Sequence, residues 1–392
     1  MLDNAAIHPP IKGMYIGGDW VPAERTFEDL NPSDNTVYAR VPDGTRADVK
    51  RAIDAAHAAF PEWSNLPFHI RARHLLNIAD TWEKRAPDFV KAAVNEGGGW
   101  QGKGLFEAGY VSEVFRSAAA MCYHNIGEVL PSEHGKFSTA TRWPLGVVSV
   151  ISPWNMPGIL TSRGFATALA VGNTIVLKPS EDTPYSGGLF FAEVLEEAGI
   201  PKGVFNVITC SRDSVAEVGD EMIENPLVKA VSFTGSTAVG RHIAAKAGAY
   251  LKKACVELGG KDSMIVLEDA DLDHAAKAAN FGSFMHQGQI CMSVEKLLVH
   301  EAIYDDFMSR FLSRAKKLKT GHTKDKDNVI GPLINNRQAV RVKALIDDAV
   351  NKGATVLMGG NAWDNYVEPT VLTDVNRNMN IWHDETFGPV VI

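Results

Sequence analysis

The 392-residue sequence contains only four cysteines, Cys122, Cys210, Cys255 and Cys291, and no two form a C-x-x-C pair. Thiols this sparse and widely spaced argue against a disulfide framework and against a structural zinc site, so no metal is expected, and a reducing cytoplasm is the simplest compartment. Long apolar runs are missing as well. None approaches the ~18 residues needed to span a bilayer. The N-terminal stretch "MLDNAAIHPPIKGMYIGGDW" lacks the basic and apolar regions of a secretory leader. Positive charge is also in short supply: 39 Lys and Arg stand against 47 Asp and Glu, a net charge of −8. Without a basic stripe for phosphates, nucleic acid is excluded as a partner. No repeat and no low-complexity tract interrupts the chain.

What is present is ordinary globular composition, 45% hydrophobic and 22% charged, in a chain long enough for about two or three domains. From Asp48 to Asn95 apolar residues recur at three- and four-residue spacing, which predicts helices. The segment from Ile126 to Arg142 becomes turn-rich with β-prone patches, as a hairpin leaving the main body would. From Pro144 onward, short apolar runs ("GVVSVIS", "NTIVLKPS", "VFNVIT", "KAVSFTG") alternate with helical stretches. Strands that read as continuously apolar, each followed by a helix, predict an α/β fold with a parallel sheet covered on both faces. A second α/β set starts near "DSMIVLEDA", with a join near Leu258 to Lys261. The chain stops at "FGPVVI", inside a strand-like run, and on that ground is read as a fragment.

Five turns carry residues suited to chemistry. In "SFTGSTAVG" a strand runs through Gly235 and Ser236 into a helix ending its first turn at Gly240. Backbone N–H groups there suit a pyrophosphate, although the spacing is not G-x-G-x-x-G and a simple Ser N-cap fits equally. "VLKPSEDTP" places Lys178 near Glu181, either for ribose hydroxyls or in a plain loop. "ISPWNMPG" fixes Asn155 between prolines, as an oxyanion donor or a turn former. "VELGGKDS" ends a partly apolar strand at Glu257, where burial would raise a carboxylate's pKa and suit it as a base. "HQGQICMSVE" holds Cys291, which is either a nucleophile or a small buried core residue.

Taken in order, "PWNMP", "KPSE", "FTGS", "VELGGK", "GQIC" and "ETFGP" resemble the signature set of the NAD(P)-dependent aldehyde dehydrogenase superfamily, from about Ile16 to the last residue. The resemblance implies a Rossmann-type cofactor domain over 1–123 and 143–257, a small β oligomerisation arm over 124–142, and an α/β catalytic domain over 258–392. It implies Cys291 as nucleophile, Asn155 as oxyanion donor and Glu257 as general base. Cofactor contacts carry over to Ile151, Trp154, Lys178, Glu181, Gly235, Ser236, Gly240, Leu258, Glu385 and Phe387. Cys122, Cys210 and Cys255 match no catalytic position and are read as core cysteines.

"GQICMS" and Arg163 look similar to the branch acting on benzaldehyde, salicylaldehyde and vanillin, with Ile290 and Met292 beside the substrate. Arg163 reads equally as a structural helix residue. Glu181 would repel a 2′-phosphate, so the expected cofactor is NAD rather than NADP. Family members run on past this end and associate, so a homodimer or homotetramer is expected of the full-length protein, and a poorly stable or inactive form of this one. Two rivals remain: a thiol-dependent esterase or acyltransferase using Cys291 and Glu257, and an inactive protein that keeps the fold.

Overall fold

The computed structural model describes residues 11–392. The expected lack of a leader falls partly on residues 1–10, outside the described residues. Two compact units divide the chain. The first takes the chain up to Asp29, then Ala39–Phe89 and Phe106–Glu257; the second takes Leu30–Tyr38, Val90–Leu105 and Leu258–Ile392.

A seven-stranded sheet organises the first unit. Across it run Lys253–Glu257, Val228–Thr234, Val147–Ile151, Thr174–Lys178, Phe205–Val207, Met14–Ile16 and Asp19–Val21. The first five are parallel and the last two join antiparallel. From Val147–Ile151 the chain moves outward through Thr174–Lys178 to Phe205–Val207, then returns to the opposite side with Val228–Thr234. The winding direction therefore reverses beside Val147–Ile151, and open α/β sheets bind ligands at the carboxyl ends of strands at such a reversal. Register aligns those ends: Lys178 pairs with Ile151, Ile151 with Phe233, and Phe233 with Val256.

Helices cover the sheet because their apolar stripes have nowhere else to go. Arg46–Ser64 starts at a capping box in which Thr45 and Asp48 exchange hydrogen bonds, and it buries Val49, Ala52, Ile53, Ala56 and Trp63 at helical spacing. Elsewhere the core is aromatic. Trp82 stacks on Phe191 at 4.8 Å, and Phe165 contacts Phe115, Phe191 and Phe205. Each such ring, fully buried, contributes roughly 1.5–3 kcal/mol of transfer free energy.

The expected hairpin is present: Gly127–Leu130 pairs antiparallel with Ser138–Thr141, and Val129, Phe137 and Trp143 stand at least two-thirds exposed.

In the second unit Ser263–Val266 pairs parallel with Lys296–Val299. Backbone bonds from Leu297 N to Ile392 O (2.8 Å) and from Ile392 N to Glu295 O (3.0 Å) tie that pair to the final strand, Val390–Val391. The final strand runs parallel to Thr370–Thr373, which pairs antiparallel with Thr355–Met358. The helices Leu272–Phe284 and Tyr304–Ala315 pack through stacked Phe284, Phe311 and Phe307. Asn336–Asn351 begins where the Asn335 side chain accepts from Gln338 N.

Lys253–Glu257 is an edge strand exposed along its whole length, flanked only by Val228–Thr234. Cys255, on that strand, is accordingly exposed rather than a core cysteine, while Cys122 and Cys210 are buried. Leu30–Tyr38 and Val90–Leu105 group with the second unit, where side chains hold them. Tyr366 donates to Ser33 O, Asn365 to Pro32 O and Gln287 to Gly98 O.

Candidate active site

In the first unit the expected residues gather at the carboxyl ends of the sheet. Ile151 closes its strand, and Ser152 N donates to Lys178 O on the next, which fixes the start of the "PWN" turn. Asn155 follows, only 3% exposed. Pro157 then opens the helix Pro157–Ala170, whose cap residue, Met156, offers no side-chain bond. The buried carboxylate of Glu107 fills that role from another helix, accepting from Gly158 N (2.6 Å) and Ile159 N (3.2 Å). A negative group at a helix N-terminus is favoured by both the orphan N–H groups and the dipole.

Lys178 is buried at its strand end and donates to Pro179 O at 2.9 Å, with Glu181 at 3.9 Å. Glu181 also lies 3.5 Å from the exposed guanidinium of Arg212. Across the reversal, Gly235 N donates to Glu257 O at 3.1 Å, and Ser236 caps Thr237–Ala249 by accepting from Val239 N. Gly240 N returns to Ser236 O, completing the first helical turn with Gly240 buried. A helix start and a buried lysine, at the carboxyl ends of the two strands that flank the winding reversal, suit a dinucleotide's pyrophosphate and ribose. Glu257 is solvent-exposed at the end of the edge strand rather than buried. Arg163 lies further along the helix Pro157–Ala170 and is exposed, whereas most of that helix is buried.

The second unit holds the thiol. Cys291 is half-buried, between buried Ile290 and Met292, which is 73% exposed. Its loop is set by three consecutive left-handed residues, His286 (φ 49°), Gln287 (φ 57°) and Gly288 (φ 70°). Two of these are not glycine, and such backbone persists only where surroundings over-determine it. Gln287, fully buried, donates to Gly98 O (3.0 Å) and Pro332 O (2.7 Å). Gln289 accepts from Ile334 N at 3.0 Å. A Cβ on Gly288 would sit 2.1 Å from Gly388 O, so only glycine fits there.

Glu385 and Phe387 belong to the same unit. The Glu385 carboxylate accepts from Gly260 N at 3.2 Å, and a Cβ on Gly259 would stand 2.1 Å from its Oε2. The glycine pair of "VELGGK", which begins just after Leu258, thus makes room for a carboxylate 125 residues later in the chain. Burial raises the Glu385 pKa above the ordinary carboxylate range.

Sequence reasoning missed several residues that build these turns: Glu107, Gln287, Gln289, Lys261, Glu295 and Arg341. Glu107 and Glu295 are carboxyl residues only 0% and 3% exposed. The visible signals were a lone carboxylate within the helical "KGLFEAGYV" and the "VEK" that leads into an apolar strand. Among the described residues, no group of three or more His, Cys, Asp or Glu is placed to hold a metal, and no helix is long and apolar enough to cross a membrane.

Comparison with known proteins agrees with this architecture. Residues 20–392 match the model of the aldehyde dehydrogenase family. The chain is 41% identical over 384 residues to a vanillin dehydrogenase of Pseudomonas fluorescens, covering 97% of this chain and 79% of that protein. It is 39% identical over 380 residues to a benzaldehyde dehydrogenase of Pseudomonas putida named for NAD(+), covering 96% and 77%. Among solved structures, a salicylaldehyde dehydrogenase from Pseudomonas putida G7 complexed with salicylaldehyde superposes with a TM-score of 0.94 at 37% identity, covering 97% of this chain and 79% of that one. The chain belongs to the aldehyde dehydrogenase family, an α/β oxidoreductase family that acts on aldehydes with a nicotinamide dinucleotide.

Proposed function

We propose that the protein oxidises aromatic aldehydes to carboxylic acids with NAD, through a covalent intermediate on Cys291. The observation that carries this reading is the Cys291 loop. Cys291 is half-buried in a turn over-determined by left-handed backbone and buried glutamines. Burial raises the Cys122 pKa and pushes that of Cys210 up to about 11, so neither is a ready thiolate, and Cys255 sits exposed on an edge strand.

In this mechanism the Cys291 thiolate adds to the aldehyde carbon. The Asn155 amide and the Cys291 backbone N–H stabilise charge on the carbonyl oxygen. A nicotinamide held by the residues named below would supply the hydride acceptor, so that loss of hydride from the former aldehyde carbon would leave a thioester on Cys291. Glu257, exposed and therefore in contact with water, takes a proton from the water that hydrolyses it. Lys178, Glu181, Gly235, Ser236 and Gly240 would hold the adenosine and pyrophosphate, and Ile151, Trp154 and Leu258 would also contact the cofactor. Glu385 and Phe387 would hold the nicotinamide ribose.

The three aromatic-aldehyde relatives support an aromatic substrate beside Ile290, Met292 and Arg163. The exposure of Arg163 favours a ligand role over a packing one. Glu181 would face a 2′-phosphate, so NADP is the poorer cofactor, with Arg212 softening that penalty. The exposed apolar hairpin at Gly127–Thr141 is consistent with a homodimer or homotetramer, and free thiols with the cytoplasm.

The test is NADH absorbance with benzaldehyde-type and short aliphatic aldehydes, using NAD and NADP, repeated with Cys291→Ala. Activity lost in the variant and strongest with aromatic aldehyde and NAD is the expected result. Aliphatic preference or equal NADP efficiency would overturn the corresponding part. Ester cleavage without NADH formation would favour the thiol hydrolase.

A further inference from the structure

The turn that presents Glu385 is fastened by buried side chains rather than by sheet or helix. Glu295 accepts from Thr386 N with both oxygens (2.9 and 2.8 Å) and from Phe387 N at 3.0 Å. Lys261 donates to Glu295 Oε2 at 2.6 Å and to Thr386 Oγ1 at 2.8 Å. Arg341 donates to the carbonyls of Glu385 and Thr386. Four backbone polar groups over three residues are therefore held by side chains, and Phe387 sits in the left-handed region at φ 47°.

A buried ion pair is a poor way to obtain stability, since an apolar pair of similar volume often does as well or better. It is a good way to fix a turn, because a carboxylate gathers several N–H groups at defined angles. The choice of charges also matters locally. Glu295 alone would repel the Glu385 carboxylate, whereas Lys261 and Arg341 offset that field.

We propose that Glu295 and Lys261 are positioning residues that set the Glu385 carboxylate for the ribose hydroxyls of the dinucleotide, an inference that rests on the role of Glu385 given above. Replacing Glu295 by glutamine keeps one acceptor oxygen but turns an N–H donor toward the Lys261 ammonium. The Thr386–Phe387 backbone loses its anchor and Glu385 shifts. Misplacement by about 1 Å can cost up to about 10²-fold in a positioned contact.

The experiment measures NADH binding by fluorescence, together with Cys291 alkylation and thermal unfolding, for Glu295→Gln, Glu385→Gln and the double variant. The expected result is NADH affinity about tenfold weaker or more in Glu295→Gln, with the Cys291 alkylation rate retained and the unfolding midpoint lowered by the stranded Lys261 ammonium. The double variant should be little weaker than Glu385→Gln alone, since both act on one contact. Unchanged NADH binding in Glu385→Gln would overturn the ribose reading itself. Normal binding in Glu295→Gln beside weak binding in Glu385→Gln, or losses that simply add, would overturn only the positioning role. Should Glu295→Gln fail to fold, Lys261→Met/Glu295→Gln removes the stranded ammonium and is judged by the same outcomes.

Discussion

The two units hold their functional side chains by different means. In the first, Lys178, Asn155, Gly235 and Glu257 stand at or just past the ends of in-register parallel strands, and regular hydrogen bonding carries them there. In the second, Cys291 and Glu385 sit on irregular turns made of left-handed residues, buried glutamines and a buried ion pair. A strand end is placed by a cooperative sheet, so one side chain can be lost without moving its neighbours. A turn held by three or four side chains has no such reserve.

The comparison can be broken at its strongest point by Asn155→Ala. If Asn155 is an oxyanion donor placed by the sheet, kcat falls about 10²–10³-fold while urea stability changes little. A large stability loss with a small kcat loss would make it a turn residue. Next is Gly288→Ala, which forces a Cβ toward Gly388 O at a positive φ. Strain and displacement should cost about 2–4 kcal/mol in urea unfolding and slow Cys291 alkylation. A neutral outcome would mean that the thiol loop is more adaptable than its geometry implies.

Glu107→Gln probes an irregular device in the first unit. Weakening a charge-assisted cap should lower stability by about 1–3 kcal/mol while leaving Cys291 alkylation unchanged. The smallest effect concerns pH. The Glu385 pKa is raised by burial, so its ionised form costs the fold stability above that pKa, and the cost disappears as pH falls below the unfolded value. The ionised form is also the one that accepts from ribose hydroxyls. Acidification should therefore weaken NADH binding, beginning at a higher pH than for an ordinary carboxylate, and Glu385→Gln should abolish that limb.

The same contrast explains what was legible beforehand. The strands from Val147 to Thr234 and the helices between them are written as apolar runs and helical stripes, local signals that survive in a single sequence. Lys178, Asn155, Gly235 and Ser236 follow such runs directly, so their places were readable. The exposure of Lys253–Glu257 was not, because whether a partly apolar strand lies at an edge depends on its neighbours in the sheet. Cys255 was misjudged for that reason. Glu107, Lys261, Glu295 and Arg341 act across separations of 34 to 125 residues, which no window along the chain can span. The glycine pair at 259–260 was visible as a motif, but its reason, the Glu385 carboxylate, was not.

The central claim is that an acyl group rests on Cys291 while Glu257 prepares water to remove it. The most direct measurement is peptide mass mapping of the Glu257→Gln variant, quenched after mixing with benzaldehyde and NAD. The account predicts a benzoyl group on the Cys291 peptide that appears only when NAD is present. A benzoyl group on Cys255 instead, or undiminished NADH production with every cysteine unmodified, would contradict it.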